Sequence, residues 1–208
     1  PHGDLVSGLW SQSRDDLIAV GMTRGFLRSA DGGATWTAQR VGPPMGFNAV
    51  AFADADHGFA VGETSSAWDY TSRGLMWRTT DAGTRWTNVD LGASGSAPLG
   101  DITFTDAANG WATGRFGAIL RTADGGMSWI PQASGVLVSL RNVKPTSAQS
   151  ARIIGHWGSF LRTTDGGATW QREIVGPNNP LQSIHMLDNV QGWGVGRGGT
   201  IVATNDGG

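Results

Sequence analysis

The chain of 208 residues contains no cysteine. Disulfides and thiolate metal sites are therefore excluded, and the compartment stays open between a cytosol and an exported location whose folds do without disulfides. Charge is scarce. Asp, Glu, Lys and Arg make up 15% of residues and the formal net charge is −2, which gives no bulk attraction to nucleic acid or to an anionic membrane. No apolar run approaches the roughly 18 residues of a spanning helix, so membrane insertion is not expected. No signal peptide is legible, and the chain begins Pro1-His2-Gly3-Asp4 without an initiator Met, which reads as a processed product or a piece. Glutamate is limited to Glu63 and Glu173, and tyrosine to Tyr70, so candidates for acid–base or covalent catalysis are few. No phosphate loop, metal-ligand spacing or nucleic-acid motif stands out, and nothing demands a cofactor.

What the chain does have is 33 glycines and 10 tryptophans, a combination suited to tight turns alternating with large flat side chains. The glycines belong to a repeat. Ser29-Ala-Asp-Gly-Gly-Ala-Thr-Trp36 recurs as Thr79-Thr-Asp-Ala-Gly-Thr-Arg-Trp86, Thr122-Ala-Asp-Gly-Gly-Met-Ser-Trp129, Thr163-Thr-Asp-Gly-Gly-Ala-Thr-Trp170 and a truncated Thr204-Asn-Asp-Gly-Gly208. Its aspartates are Asp31, Asp81, Asp124, Asp165 and Asp206, giving steps of 50, 43, 41 and 41 residues. Periods near 40–45 residues are those of propeller blades. Each period holds four short β-like runs; in the third they are Asp101–Phe104, Trp111–Gly114, Ala118–Arg121 and Ser128–Ile130. Helical periodicity is absent. The expected fold is therefore all-β: a β-propeller of four-stranded antiparallel blades, about five in number, with the last lacking its outer strand.

Within each box the aspartate is expected to accept hydrogen bonds from nearby backbone N–H groups, clamping the turn between the third and fourth strands. The first glycine is replaced by Ala82 in the second box while the next glycine is kept throughout, so only the second position is expected to require positive φ. The following tryptophan is expected to be buried between blades. A carboxylate repeated once per blade reads as scaffold rather than as a metal ligand or catalyst. An arginine closing the third run in four repeats (Arg28, Arg78, Arg121, Arg162) reads as pairing within blades.

The pattern Ser/Thr-x-Asp-x-Gly-x-Thr/Ser-Trp resembles the Asp-box, or bacterial neuraminidase repeat, of sialidases, several glycoside hydrolases and sortilin-type receptors. The longer string from Gly110 to Gly126 is similar to the photosystem II stability/assembly-factor-like propellers, and that resemblance covers nearly the whole chain. It implies a non-enzymatic scaffold that binds a protein partner, a membrane-complex subunit or acidic segment, through an arginine patch, and it favours an exported location. Members of that family resemble seven-bladed rings, whereas five repeats are present here. Residues 1–208 thus form either a compact five-bladed ring, the preferred reading, or a piece of a larger one.

If the boxes lie on one rim, the loops joining second and third strands lie on the other. Those loops carry Arg24, Arg73, Arg115 with Phe116, His156 with Trp157, and Arg197. Arginine forks suit carboxylate or phosphate. The second loop is lengthened to eleven residues, Glu63 to Arg73, and holds Trp68 and Tyr70, side chains typical of partner anchors. The insertion Leu91–Pro98 reads as filler. Two other functions fit less of the sequence. A lectin-like propeller would take glycan between blades. A sialidase-type hydrolase would need an arginine cluster, an acid and a tyrosine nucleophile, but Tyr70, Glu63 and Asp69 crowd one loop.

Overall fold

The computed structural model describes residues 6–11, 13–21, 25–39, 45–64, 72–173 and 181–207. They fall into two compact units, Pro1–Ile102 and Thr103–Gly208. The first unit holds β1 (Val6–Ser11), β2 (Leu17–Gly21), β3 (Gly25–Ser29) and β4 (Thr37–Gln39) in one antiparallel sheet. A second sheet is formed by β5 (Met45–Phe52), β6 (Gly58–Thr64), β7 (Gly74–Thr79) and β8 (Thr87–Asn88). The division falls inside β9 (Leu99–Phe104), which leads into β10 (Gly110–Gly114), β11 (Ile119–Thr122) and β12 (Ile130–Pro131). Then follow β13 (Leu140–Pro145), β14 (Ala151–Gly155), β15 (Phe160–Thr163) and β16 (Gln171–Glu173), and last a three-stranded sheet of β17 (Leu181–Met186), β18 (Gly192–Gly196) and β19 (Ile201–Thr204). Every sheet runs in sequence order, as a propeller blade does. The five blades, with the last lacking its outer strand, are as the repeat predicts.

The second strand of a blade is covered on both faces, so it reads as a nearly continuous apolar run rather than an alternation. β10 and β14 are buried at all five positions. Within each unit, one face of a blade meets the first strand of the blade that follows it. In the first unit Ile18, Val20 and Phe26 pack on Phe47, Val50 and Trp86. In the second, Trp111 and Ile119 pack on Leu140 and Val143, and Ile154 and Phe160 pack on Leu181 and Ile184.

The box is a closed hydrogen-bond circuit. Ser29 Oγ donates to Asp31 Oδ1 (2.7 Å) and accepts from the Gly33 N–H (2.8 Å). Thr35 returns its N–H to Asp31 Oδ1 (2.8 Å) and its hydroxyl to Oδ2 (2.6 Å). The boxes of Asp124 and Asp165 repeat all four bonds. These donors, the Thr35 hydroxyl foremost, lower the Asp31 carboxyl to about 2; Asp124, held first by the Ser128 hydroxyl, and Asp165, held first by that of Thr169, also lie at about 2. Arg85 occupies the hydroxyl position in the second box and supplies only its N–H, at 2.8 Å.

Three expectations need correction. Both box glycines have positive φ, Gly32 at 70° and Gly33 at 92°, and Ala82 adopts φ 54° at the first position. That value sits in the left-handed well an L-residue can enter at a cost, whereas the 81° of Gly83 lies beyond it. A Cβ on Gly83 would also press on the Cδ1 end of Ile18 in the preceding blade, which would have to shift, so φ is what reserves this position for glycine. Second, the box tryptophans differ in burial: Trp86 is 6% exposed but Trp36 is 40%, since Trp86 has the first blade to pack against. Third, the recurrent arginine also works between blades. Arg121 donates from Nε to the Gly166 carbonyl (2.8 Å) and from one terminal nitrogen to the Ala148 carbonyl (2.9 Å), both in the following blade, while its guanidinium lies 4.3 Å from the Trp111 ring centroid. Arg28 likewise reaches Thr84 Oγ1, at 3.3 Å. Arg162 lies 3.5 Å from Glu173 of its own blade. In the fourth blade the inter-blade role passes to buried Arg152, opposite Arg162 in the register, which donates to the carbonyls of Gly207 (2.7 Å) and Asn189 (2.6 Å).

Candidate functional site

In each blade of the second unit the turn from second to third strand is a three-residue 3-10 turn: Arg115–Gly117, His156–Gly158 and Arg197–Gly199. It lies at the opposite end of the third strand from the Asp-box. The turn is closed by backbone bonds, such as Ala118 N–H to the Arg115 carbonyl (3.1 Å) and Ser159 N–H to that of His156 (3.2 Å). The middle residue takes a left-handed conformation: φ 57° at Phe116, 59° at Trp157 and 65° at Gly198. Glycine adopts it freely; a bulky aromatic pays on the order of 1–2 kcal/mol. Both aromatics point out and are exposed, Trp157 at 84%.

The third residue of the first turn has to be glycine for a separate reason. A Cβ on Gly117 would collide with the Val136 carbonyl. The Gly117 N–H donates to the Val138 carbonyl (2.8 Å), and the His156 N–H donates to that of Ser139 (2.8 Å). The segment entering β13 thus holds two neighbouring turns at once. The insertion at Leu91–Pro98 is not filler either. It contains the short turn Gly92–Ser96, buries Pro98, and lies so close to Gly74 that a Cβ there would collide with the Ala97 carbonyl.

His156 lies in the field of two arginines. Burial first, then the positive fields of Arg141 and Arg197, hold the His156 imidazole below the ordinary histidine value. Arg141 was not anticipated from sequence. It is the extra residue of a β-bulge, because Leu140 pairs with Gly155 and Asn142 with Ile154. The same register shift recurs at the corresponding point of β1, β5 and β17, and such bulges re-aim a side chain next to functional surfaces. Among the predicted residues, Arg115, Phe116, His156, Trp157 and Arg197 occupy equivalent turns of three consecutive blades. Arg73 is exposed at the base of the long second-blade loop, where its N–H donates to Thr64 Oγ1 (3.0 Å). Arg24, Trp68 and Tyr70 lie outside the described residues. Among the described residues no group of three or more His, Asp or Glu side chains is arranged to hold a metal ion, and no helix is long and apolar enough to cross a membrane.

Comparison with known proteins agrees with this architecture. The family model described as Photosynthesis system II assembly factor YCF48 matches residues 78–172. No curated protein matches the chain. Among solved structures, the chain is similar to YCF48 bound to D1 peptide, at 16% identity and a TM-score of 0.53, covering 99% of this chain and 94% of that one. YCF48 from Cyanidioschyzon merolae gives 17% identity and a TM-score of 0.65, with coverages of 100% and 84%. A GH74 enzyme from Niastella koreensis gives 16% identity and a TM-score of 0.69, but the match spans only 34% of that longer chain. At these identities the likeness establishes the fold. The chain is an Asp-box β-propeller whose residues 78–172, running from the third strand of the second blade to the outer strand of the fourth, match the model of the photosynthesis system II assembly factor YCF48 family.

Proposed function

We propose that this chain is a non-catalytic, assembly-factor-like scaffold that binds an acidic segment of a membrane-complex protein through the arginine-bearing turns opposite its Asp-boxes. The observation that carries the reading is the constellation on the second unit: Arg115, His156 and Arg197 at the same position of successive turns, with Arg141 on a bulge of the adjoining strand. Arginine forks match carboxylates bidentately, and positive charge speeds encounter with an anionic partner. Exposed Phe116 and Trp157 add apolar anchors between the charges. The family-model match over residues 78–172 and the D1-peptide complex of a structural relative support a protein partner. Arg73, with Arg24, Trp68 and Tyr70, extends the proposal to the first unit on sequence grounds, and residues 1–208 are taken as one functional domain.

The box carboxylates support the non-catalytic part of the reading. Their oxygens are occupied by turn donors, and values near 2 suit neither a general acid nor a general base at neutral pH. The test is affinity capture from solubilised membranes with the wild-type chain and with an Arg24→Glu/Arg115→Glu/Arg197→Glu variant. Specific enrichment of a membrane-complex subunit that the variant loses supports the proposal. Identical capture by both proteins, or none by either, overturns it.

A further inference from the structure

Three apolar side chains stand out from the turns of the third and fourth blades. Phe116 is 69% exposed, Leu137 85% and Trp157 84%. A single exposed apolar residue is ordinary; several held close along one chain segment are not. Leu137 belongs to the segment that enters β13, and backbone contacts on both sides of it fix its place. The Val138 carbonyl accepts the Gly117 N–H and the Ser139 carbonyl accepts the His156 N–H, both at 2.8 Å, while the Val136 carbonyl lies against Gly117. The Ser134 hydroxyl holds the other end, accepting the Val136 N–H at 3.3 Å and donating to the Val136 carbonyl at 3.1 Å. Val136 and Val138 pack on the core of Trp111, Ile119 and Leu140, which leaves Leu137 between them turned out. Leu137 thus stands beside the turn of Phe116 and two residues before the contact with the turn of Trp157. All three lie in one unit, and both blades are followed by a further blade.

Arginines accompany these residues. Arg115 precedes Phe116 in its turn, Arg197 opens the equivalent turn of the following blade, and Arg141 sits on the bulge of β13, four residues beyond Leu137. A partner that met only the arginines would leave the apolar side chains in water, and a wholly apolar one would desolvate guanidinium groups without a counter-charge. Complementarity to both calls for carboxylates on either side of an apolar side chain. An anionic bilayer is the weaker match, because lipid surfaces recruit clusters of four to eight Lys and Arg and this chain is net acidic. The rings of Phe116 and Trp157 are moreover fixed on left-handed backbone, a preorganisation that suits one fitted segment rather than a fluid interface. We infer that Phe116, Leu137 and Trp157 form an apolar half of the partner surface and select, among acidic segments, those with a leucine-like side chain bracketed by carboxylates. This rests on the arginine-bearing turns binding an acidic segment, and adds to it a preference in the partner's sequence.

Two synthetic peptides of equal charge separate that preference from charge alone: Gly-Ser-Glu-Glu-Leu-Glu-Glu-Ser-Gly, and the same peptide with Ser in place of Leu. Fluorescence anisotropy of each labelled peptide, titrated with the full chain at fixed ionic strength, reads the affinities. The leucine peptide is expected to bind roughly tenfold tighter, the effect of burying most of one aliphatic side chain. Leu137→Ser is expected to erase the preference and Leu137→Met to keep most of it, with thermal unfolding checking that both variants are folded. Arg115→Glu/Arg197→Glu should weaken both peptides alike. Equal affinities of the two peptides for the wild-type chain overturn the inference and leave the arginine-bearing turns as the binding surface, as does a preference that survives Leu137→Ser. Binding of neither peptide overturns the acidic-segment reading itself, and the inference with it. Vesicles of phosphatidylglycerol and phosphatidylcholine supply the last arm. Co-sedimentation that Leu137→Ser abolishes, with no preference between the peptides, assigns these side chains to a lipid surface and overturns the inference.

Discussion

The Trp86 indole lies on the Phe26 ring of the preceding blade, 4.0 Å between centroids and 10° from parallel, while its Nε1–H donates to the Gly83 carbonyl at 3.1 Å. One side chain therefore closes its own turn and covers its neighbour's core. Trp36 makes the equivalent bond to the Gly33 carbonyl at 3.0 Å but remains 40% exposed. Trp86→Ala is expected to cost about 3–5 kcal/mol, the range for truncating a buried aromatic. Trp36→Ala should cost no more than about 1 kcal/mol, as for a largely surface change. Urea unfolding of the two variants checks this; equal losses would show that the turn bond, not inter-blade stacking, dominates.

The second box separates the roles of its two turn residues. Ala82 sits at φ 54° where the four other boxes have glycine, so Ala82→Gly trades strain of about 1–2 kcal/mol against the added flexibility of the unfolded chain. A net gain of up to about 1 kcal/mol is expected. Gly83→Ala meets both a φ of 81° and the Ile18 side chain, and a loss above about 2 kcal/mol is expected from strain and overpacking together. Denaturation midpoints that fall for the first substitution would show that the two positions are not distinguished in this way.

The box carboxylates give stability a defined acid dependence. Asp31, Asp124 and Asp165 titrate at about 2 in the folded chain, against about 3.9 when unfolded. A depressed folded value means that the contribution is complete above the unfolded value and is lost as pH falls from about 4 through about 2. Thermal unfolding followed across that window should steepen for the wild-type chain, and Asp124→Asn should be less stable at neutral pH with a shallower acid slope. An unchanged slope in the asparagine variant would assign the acid transition to other groups.

Much of this was legible in the sequence because the repeat reports backbone and core together. Asp-to-Asp spacing gave the blade count, and the second runs gave the doubly buried strands. The truncated box at Thr204 announced a last sheet without an outer strand. What escaped reading depends on register or on three dimensions. The bulge that presents Arg141 leaves no residue signature, since the corresponding residues of β1, β5 and β17 are Ser7, Asn48 and Gln182. That Arg121 reaches the next blade rather than its own depends on strand placement, although its recurrence marked it as structural. The left-handed aromatics did have a signal: aligning Gly114-Arg-Phe-Gly117 with Gly196-Arg-Gly-Gly199 sets Phe116 against Gly198.

That alignment carries the last prediction. Phe116 and Trp157 hold a conformation that Gly198 adopts in the next blade at no steric cost, and their rings are exposed rather than packed. Strain retained at an exposed aromatic is the pattern expected where binding, not folding, fixes the residue. Phe116→Gly and Trp157→Gly should therefore leave stability unchanged or raise it by up to about 1 kcal/mol, the relief of the left-handed strain less the entropy added to the unfolded chain. The same variants should weaken capture of the membrane-complex partner. Thermal unfolding and capture measured on the same protein preparations separate the two effects. Variants that lose stability while binding normally would show that these aromatics serve the fold, and the proposed partner surface would then rest on its arginines alone.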